Sequence, residues 1–313
     1  MSTGTLFRLR FWSCCVGGLL LLLVAGLGLL MPYDPGRDTE LLRRFWSPGW
    51  GPDGSFTLLG RDAFGRDLAR MLGQGVLAWL GPGLLAALLA GGVGLILAWA
   101  EPEDLRGLPG EATVVMALQT LPPLAWLMLL AVATQQNVWI FGVGVGVMEA
   151  PGIAQRLRQR FRQLRQREVI AGAQGHFLSP AYVQREYRMR LEGLPELARA
   201  IPELVAQVLL LETALSYLGE LGAPEQSASW GRMLKDLSPL LFRAEPGAAL
   251  WVAFVPLGAL MVSLLILYGL GEGVAEQLPG GSRARRTETR QSSSGTSQVG
   301  TVSITGGSRV FTS

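Results

Sequence analysis

The run VLAWLGPGLLAALLAGGVGLILAWA, residues 76–100, decides the fold class. Its 25 residues carry no charge, and roughly 18–20 apolar residues suffice to cross a bilayer as a helix. Similar runs lie near 11–31, 112–134, 136–155, 201–220 and 249–271. A chain of 313 residues that is 49% hydrophobic and holds six such runs reads as an all-α polytopic membrane protein with six transmembrane helices. The first run follows Arg8 and Arg10 and resembles a signal peptide, but "LLMPYDP" has no small-x-small cleavage site, so it reads as a retained anchor. The fourth is short and glycine-rich; Gly142 and Gly146, four apart, suit close helix packing in lipid.

The net charge of +3 says little, but the placement of the charges says more. Segment 156–199 carries Arg156, Arg158, Arg160, Arg162, Arg165, Arg167, Arg185, Arg188, Arg190 and Arg199. Basic residues near span ends stay in the cytoplasm, which puts this loop and both termini inside and loops 32–75 and 221–248 outside. Loop 32–75 also holds six arginines, several beside Asp38, Asp62 or Asp67. Reversing the orientation would expose the ten-arginine loop instead. Ile153, Leu157, Phe161 and Leu164 recur at helical spacing among Arg and Gln, so the fourth span continues as a basic amphipathic helix. That helix is either a solvated face beside lipid headgroups or a docking surface for an acidic partner. The tail 279–313 is rich in Ser, Thr and Gly and reads as disordered.

The chemistry of common enzymes is missing from the sequence. There is no Walker-A glycine loop, no metal-ligand spacing with one His and two adjacent Cys, and no G-x-S-x-G to partner His176. Cys14 and Cys15 are neighbours in an apolar run; packing and lipidation both fit them. The repeated GRD of "GRDAFGRD" could pair two carboxyls, but each Asp follows an Arg, which fits an ion-paired helix start better. Polar residues inside spans are costly. Gln119 stands just before the kinking pair Pro122–Pro123, and Gln207 and Glu212 lie in the fifth span. They read either as a pathway or gate, or as hydrogen bonds that hold the bundle.

Four segments together resemble one family. "LLGRDAFGRDLARML" (58–72), "MALQTLPPLAWLMLL" (116–130), "ETALSYLGELGAPEQSASWGRML" (212–234) and "YGLGEGVAEQLPG" (268–280) are similar, in order, to motifs of DppC/OppC-type permeases. These are subunits of ABC importers for dipeptides, oligopeptides and nickel. The resemblance rests on Gly60, Asp62, Gly65, Arg66 and Asp67 in the outer loop and on Trp230 and Gly231. It implies the type I ABC importer permease fold in a bacterial inner membrane. It also implies a second, DppB/OppB-like permease, two ABC ATPase subunits that hydrolyse ATP in place of this chain, and a periplasmic solute-binding protein. No cofactor, metal or nucleic acid is implied.

The implied domain layout is an anchor at 1–31, a periplasmic loop at 32–75, a transmembrane domain at 76–278 with coupling loop 156–199, and a tail at 279–313. REVIAGAQGHFLSP (167–180) lies where the family carries its coupling helix, which implies ATPase contacts by Glu168, Ile170, Ala171, Gly172, Ala173 and Phe177. The family's second Glu is here Ala171 and its following Ala is Gly172, so the segment is divergent. The expected function is half of a translocation pathway for peptides or a similar small solute. The alternative is a permease-like scaffold or transmitter that no longer transports. A secondary transporter fits poorly, because no intramembrane Asp/Lys/His relay or inverted repeat is visible.

Overall fold

A computed structural model describes residues 3–30, 34, 48–50, 56–100, 125, 128–129, 131–132, 137–165, 188–219, 228–241 and 246–278. Among them six helices and one small hairpin are formed: α1 (Thr3–Leu30), β1 (Gly49–Trp50), β2 (Phe56–Thr57), α2 (Leu68–Ala100), α3 (Val138–Arg165), α4 (Leu194–Leu218), α5 (Trp230–Leu241) and α6 (Pro246–Gln277). Among the described residues, four helical stretches are long and apolar enough to span a membrane: Leu68–Trp99, Val138–Arg162, Met189–Leu218 and Leu250–Gln277. A shorter apolar stretch, Cys14–Leu30, lies in α1. The membrane-spanning part is helical because a bilayer offers backbone groups no partner, and a helix satisfies them internally. Most of the expected span 112–134 lies outside the described residues; those described at 125, 128, 129, 131 and 132 are helical.

The helices run further than the apolar runs do. α2 starts at Leu68 because the Asp67 carboxyl accepts from the Ala69 N–H at 2.9 Å and the Arg70 N–H at 3.3 Å, satisfying donors that the first turn leaves open. Asn137 caps α3 in the same way, accepting from the Trp139 N–H at 3.0 Å. A single π-helical turn, Arg188–Gly193, leads into α4. α4 ends at Gly219, whose φ of 90° is natural only to glycine and whose N–H bonds to the carbonyl of Leu215 at 3.0 Å. α3 is one helix from its glycine-rich start through Arg156, Arg158, Arg160 and Arg162, so the basic helix does continue the fourth span.

The tightest crossing is α2 on α3. A Cβ added at Gly142 would come within 2.7 Å of the Pro82 carbonyl oxygen, and one at Gly146 within 2.8 Å of the Ala86 oxygen. These two glycines therefore let backbone meet backbone, as their spacing suggested. α1 crosses α2 at Gly28 and Gly73. Ile153, Leu157 and Phe161 are buried in the main core with Leu204, Leu209, Trp79 and Trp230, so the apolar stripe of the basic helix packs within the subunit.

The bundle has two distinct ends. Residues 56–68, the top of α4, α5 and the start of α6 gather at one, where the Trp251 Nε1–H donates to the Leu59 carbonyl at 3.1 Å. At the other end α3 stops at Arg165 and the turn leading into α4 begins at Arg188. Phe11 packs against Gly273 near that end, and Arg199 pairs with Glu272 at 3.5 Å. The start of α1 and the end of α6 thus share the end where α3 stops and α4 begins.

Candidate functional site

Three groups of polar residues stand out along the bundle. At the first end, residues 60–67 fold into a tight turn. Gly60 and Gly65 take φ of 80° and 79°, a region open to glycine without strain. The Asp62 carboxyl organises the turn, accepting from the Phe64 N–H at 2.9 Å, the Arg66 N–H at 2.8 Å and the Arg66 Nε–H at 2.7 Å. The Arg66 guanidinium also reaches Asp236 of α5 at 2.9 Å, which ties the turn to a helix about 170 residues away in the chain. Burial opposes the Arg66 charge, yet Asp62 and Asp236 outweigh it and hold its pKa above the ordinary arginine value. The two GRD aspartates therefore brace one turn: Asp67 caps α2 and Asp62 pairs with Arg66, as an ion-paired helix start requires.

Trp230 and Gly231 complete this clasp. Trp230 is wholly buried, its ring edge-on to Trp79 at 5.8 Å, and its Nε1–H donates to the Leu72 carbonyl at 3.1 Å. Gly231 sits against the backbone of α4, where any Cβ would collide with the Thr213 carbonyl. All seven outer motif residues singled out in the sequence are thus brought together in the loop–α2–α4–α5 junction, and Asp236 joins them. The sequence reading missed Asp236 because α5 has no bilayer-length apolar run to draw attention to it.

The second group lies within α3 and α4. Glu212 is 1% exposed, and the Ser216 Oγ–H donates to its Oε1 at 2.7 Å. The Gln207 Nε2–H donates to Glu149 Oε1 on α3 at 2.9 Å. Glu149 was also missed; the glycines of its span drew the reading, although an acid inside a span is itself a signal. Gln119 and Pro122 lie outside the described residues.

The third group stands at the other end. Arg156 pairs with Glu203 at 3.1 Å and approaches Glu196 at 3.9 Å, and Arg160 pairs with Glu196 at 3.4 Å. Arg158 donates to the Leu97 carbonyl at 3.0 Å near the end of α2. These contacts tie α3 to α4 toward the end where α3 stops and α4 begins. Glu168, Ile170, Ala171, Gly172, Ala173 and Phe177 lie outside the described residues. Among the described residues, no cluster of His, Cys, Asp and Glu could hold a metal ion.

Residues 112–272, from before α3 through most of α6, match the family of binding-protein-dependent transport system inner membrane components. The chain belongs to that family. This inner membrane component is also 28% identical over 271 residues to a Brucella ovis protein carrying a peptide-permease name, with 82% of each chain covered. It is 29% identical over 162 residues to the oligopeptide transport system permease protein OppC of Salmonella typhimurium, with 51% of each chain covered. The OppC protein of Escherichia coli gives the same identity and coverage. The chain is a multi-pass, transmembrane permease subunit, and the DppC/OppC resemblance read from four motifs holds.

Proposed function

We propose that this permease subunit forms half of an ATP-driven import pathway for peptides or a similar small solute. What carries the reading is the family match over residues 112–272 together with relatives named for peptide and oligopeptide transport. The other half would be a second permease of the same class, with two ATPase subunits on the cytoplasmic side and a solute-binding protein outside. ATP hydrolysis belongs to those ATPase subunits. The arginine-rich segment 156–199 and both termini face the cytoplasm, and loops 32–75 and 221–248 face out. That orientation rests on the arginine asymmetry and is supported by the helix ends that gather where α3 stops and α4 begins.

In this reading Glu168, Ile170, Ala171, Gly172, Ala173 and Phe177 form the contact with an ATPase subunit, between two helices tied by Arg156, Arg160, Glu196 and Glu203. Gln119, Pro122, Gln207 and Glu212 mark the pathway or its gate. Of these, Glu212 is enclosed within the subunit and Gln207 is half-buried, so Glu212 acts through the packing of α4 and Gln207 stands nearer the solute. Co-purification from the native membrane tests the assembly, and ATP-dependent peptide uptake by the reconstituted complex tests the activity. Isolation of the chain without an ATPase or a second permease, or an assembled complex that moves no solute, refutes the proposal.

A further inference from the structure

Glu149 has no role in the proposed function so far, and its surroundings are unusual for an acid inside a span. It follows Val138, the first residue of α3, by eleven residues, and Gln207 precedes Leu218, the last residue of α4, by eleven. At 1.5 Å per residue both lie about 16 Å from the same end of the bundle, near the middle of a hydrocarbon core about 30 Å thick. An acid at that depth faces a bundle interior or a water-filled cavity, because lipid cannot solvate it.

The exposed face of α4 shows which. Glu203, Gln207, Leu210, Ala214 and Tyr217 recur at helical spacing as its exposed and half-exposed positions. The corresponding face of α6 is Phe254, Leu257, Met261 and Leu265, an apolar surface suited to lipid. The α4 face is mixed, carrying an acid and an amide, and so suits a wet pathway. Glu149 borders that face and is held on it by Gln207. The neutral amide orients the carboxyl without balancing a charge, and no Arg or Lys pairs with Glu149 among the described residues.

We propose that Glu149, oriented by Gln207, is a specificity-determining residue of the pathway that receives a cationic group of the passing solute. Given the peptide reading, on which this inference rests, that group is the primary ammonium of a free peptide N-terminus. The amide fixes one carboxyl oxygen and leaves the other to accept from the ammonium, which needs a charged acceptor at this depth.

The test uses the full transporter, assembled with its own partner subunits in liposomes. Uptake of trialanine is compared with that of N-acetyl-trialanine, which lacks the ammonium. The same binding protein is supplied to every variant, so any change in preference belongs to the permease. The wild type is expected to prefer the free peptide. Glu149→Gln should cut that preference by roughly tenfold to a hundredfold, the loss expected for a hydrogen bond to a charged group, with the loss falling on trialanine uptake. Glu149→Asp should keep part of the preference. An unchanged ratio in Glu149→Gln, or a wild type without preference, overturns the inference while leaving a working peptide permease. Failure of both variants to assemble overturns it too, because the carboxyl would then hold the bundle together. Uptake of neither peptide by the wild type refutes the peptide reading itself, and the inference falls with it.

Discussion

Substituting Gly231 with Ala replaces a hydrogen with a methyl group at the point where α5 meets α4. The new Cβ would overlap the Thr213 carbonyl oxygen and lie 2.8 Å from the Tyr217 nitrogen. Both are backbone atoms of one helix, so no side chain can rotate away. Either α5 lifts off α4 or α4 bends. Overpacking of this kind costs typically 1–3 kcal/mol, and the rigid neighbour puts Gly231→Ala at the upper end, about 3 kcal/mol. For a chain of 313 residues that is a fall of roughly 5 °C in the unfolding midpoint. Trp230 is buried between Trp79 and the Leu72 carbonyl, so its fluorescence should shift to longer wavelength as water enters. Thermal unfolding in lipid nanodiscs, followed by tryptophan emission, reads both effects. Gly258→Ala is the control, since a Cβ there meets nothing within 4 Å. Equal midpoints for the two variants would refute the claim that direct backbone contact fixes α5.

Arg66→Leu should destabilise the same junction by about 1–3 kcal/mol, because it strips a partner from the buried Asp62 and from Asp236; protease cleavage in the 60–67 turn should rise, and Arg66→Lys should not restore protection, since one ammonium cannot span both acids. Asp67→Ala removes the cap of α2 and should cost about 0.5–2 kcal/mol, measured as a lower unfolding midpoint in the same nanodiscs. Ile170→Asp and Phe177→Asp should leave the assembled complex hydrolysing ATP while peptide uptake falls; unchanged uptake in both removes the coupling role from residues 168–177.

Hydropathy finds where a helix meets lipid and says little about where it starts. That is why α2 begins at Leu68 and not at 76: Arg70, Gly73, Gln74 and Gly75 interrupt the apolar run, and Asp67 ends the preceding loop with a cap that hydropathy does not announce. α4 likewise begins at Leu194, before the apolar run near 201, with Pro195 and Glu196 in its first turn. α5 falls within the expected loop 221–248 because twelve amphipathic residues match no bilayer dimension, and its burial comes from α4, α6 and α2. The β1–β2 hairpin pairs only Gly49 with Thr57 and Trp50 with Phe56, too short a ladder to leave an alternating pattern. The outer motif was legible because its glycines, aspartates and arginine do visible local chemistry. Asp236 and Glu149 were not, because each takes its meaning from a partner on another helix, Arg66 for one and Gln207 for the other.

The arginine–glutamate contacts at the base of α3 and α4 bear on how force enters the bundle. Arg156 and Arg160 reach across to Glu196 and Glu203 on both sides of the point where the chain leaves α3 and returns as α4. In the proposed coupling role, a push on the segment between them would reach both helices, and the pair would tilt as a lever. The Gly142–Pro82 and Gly146–Ala86 crossing would be its fulcrum, and the length of α3 and α4 beyond that crossing would set how far the opposite end swings for each ångström moved at the base.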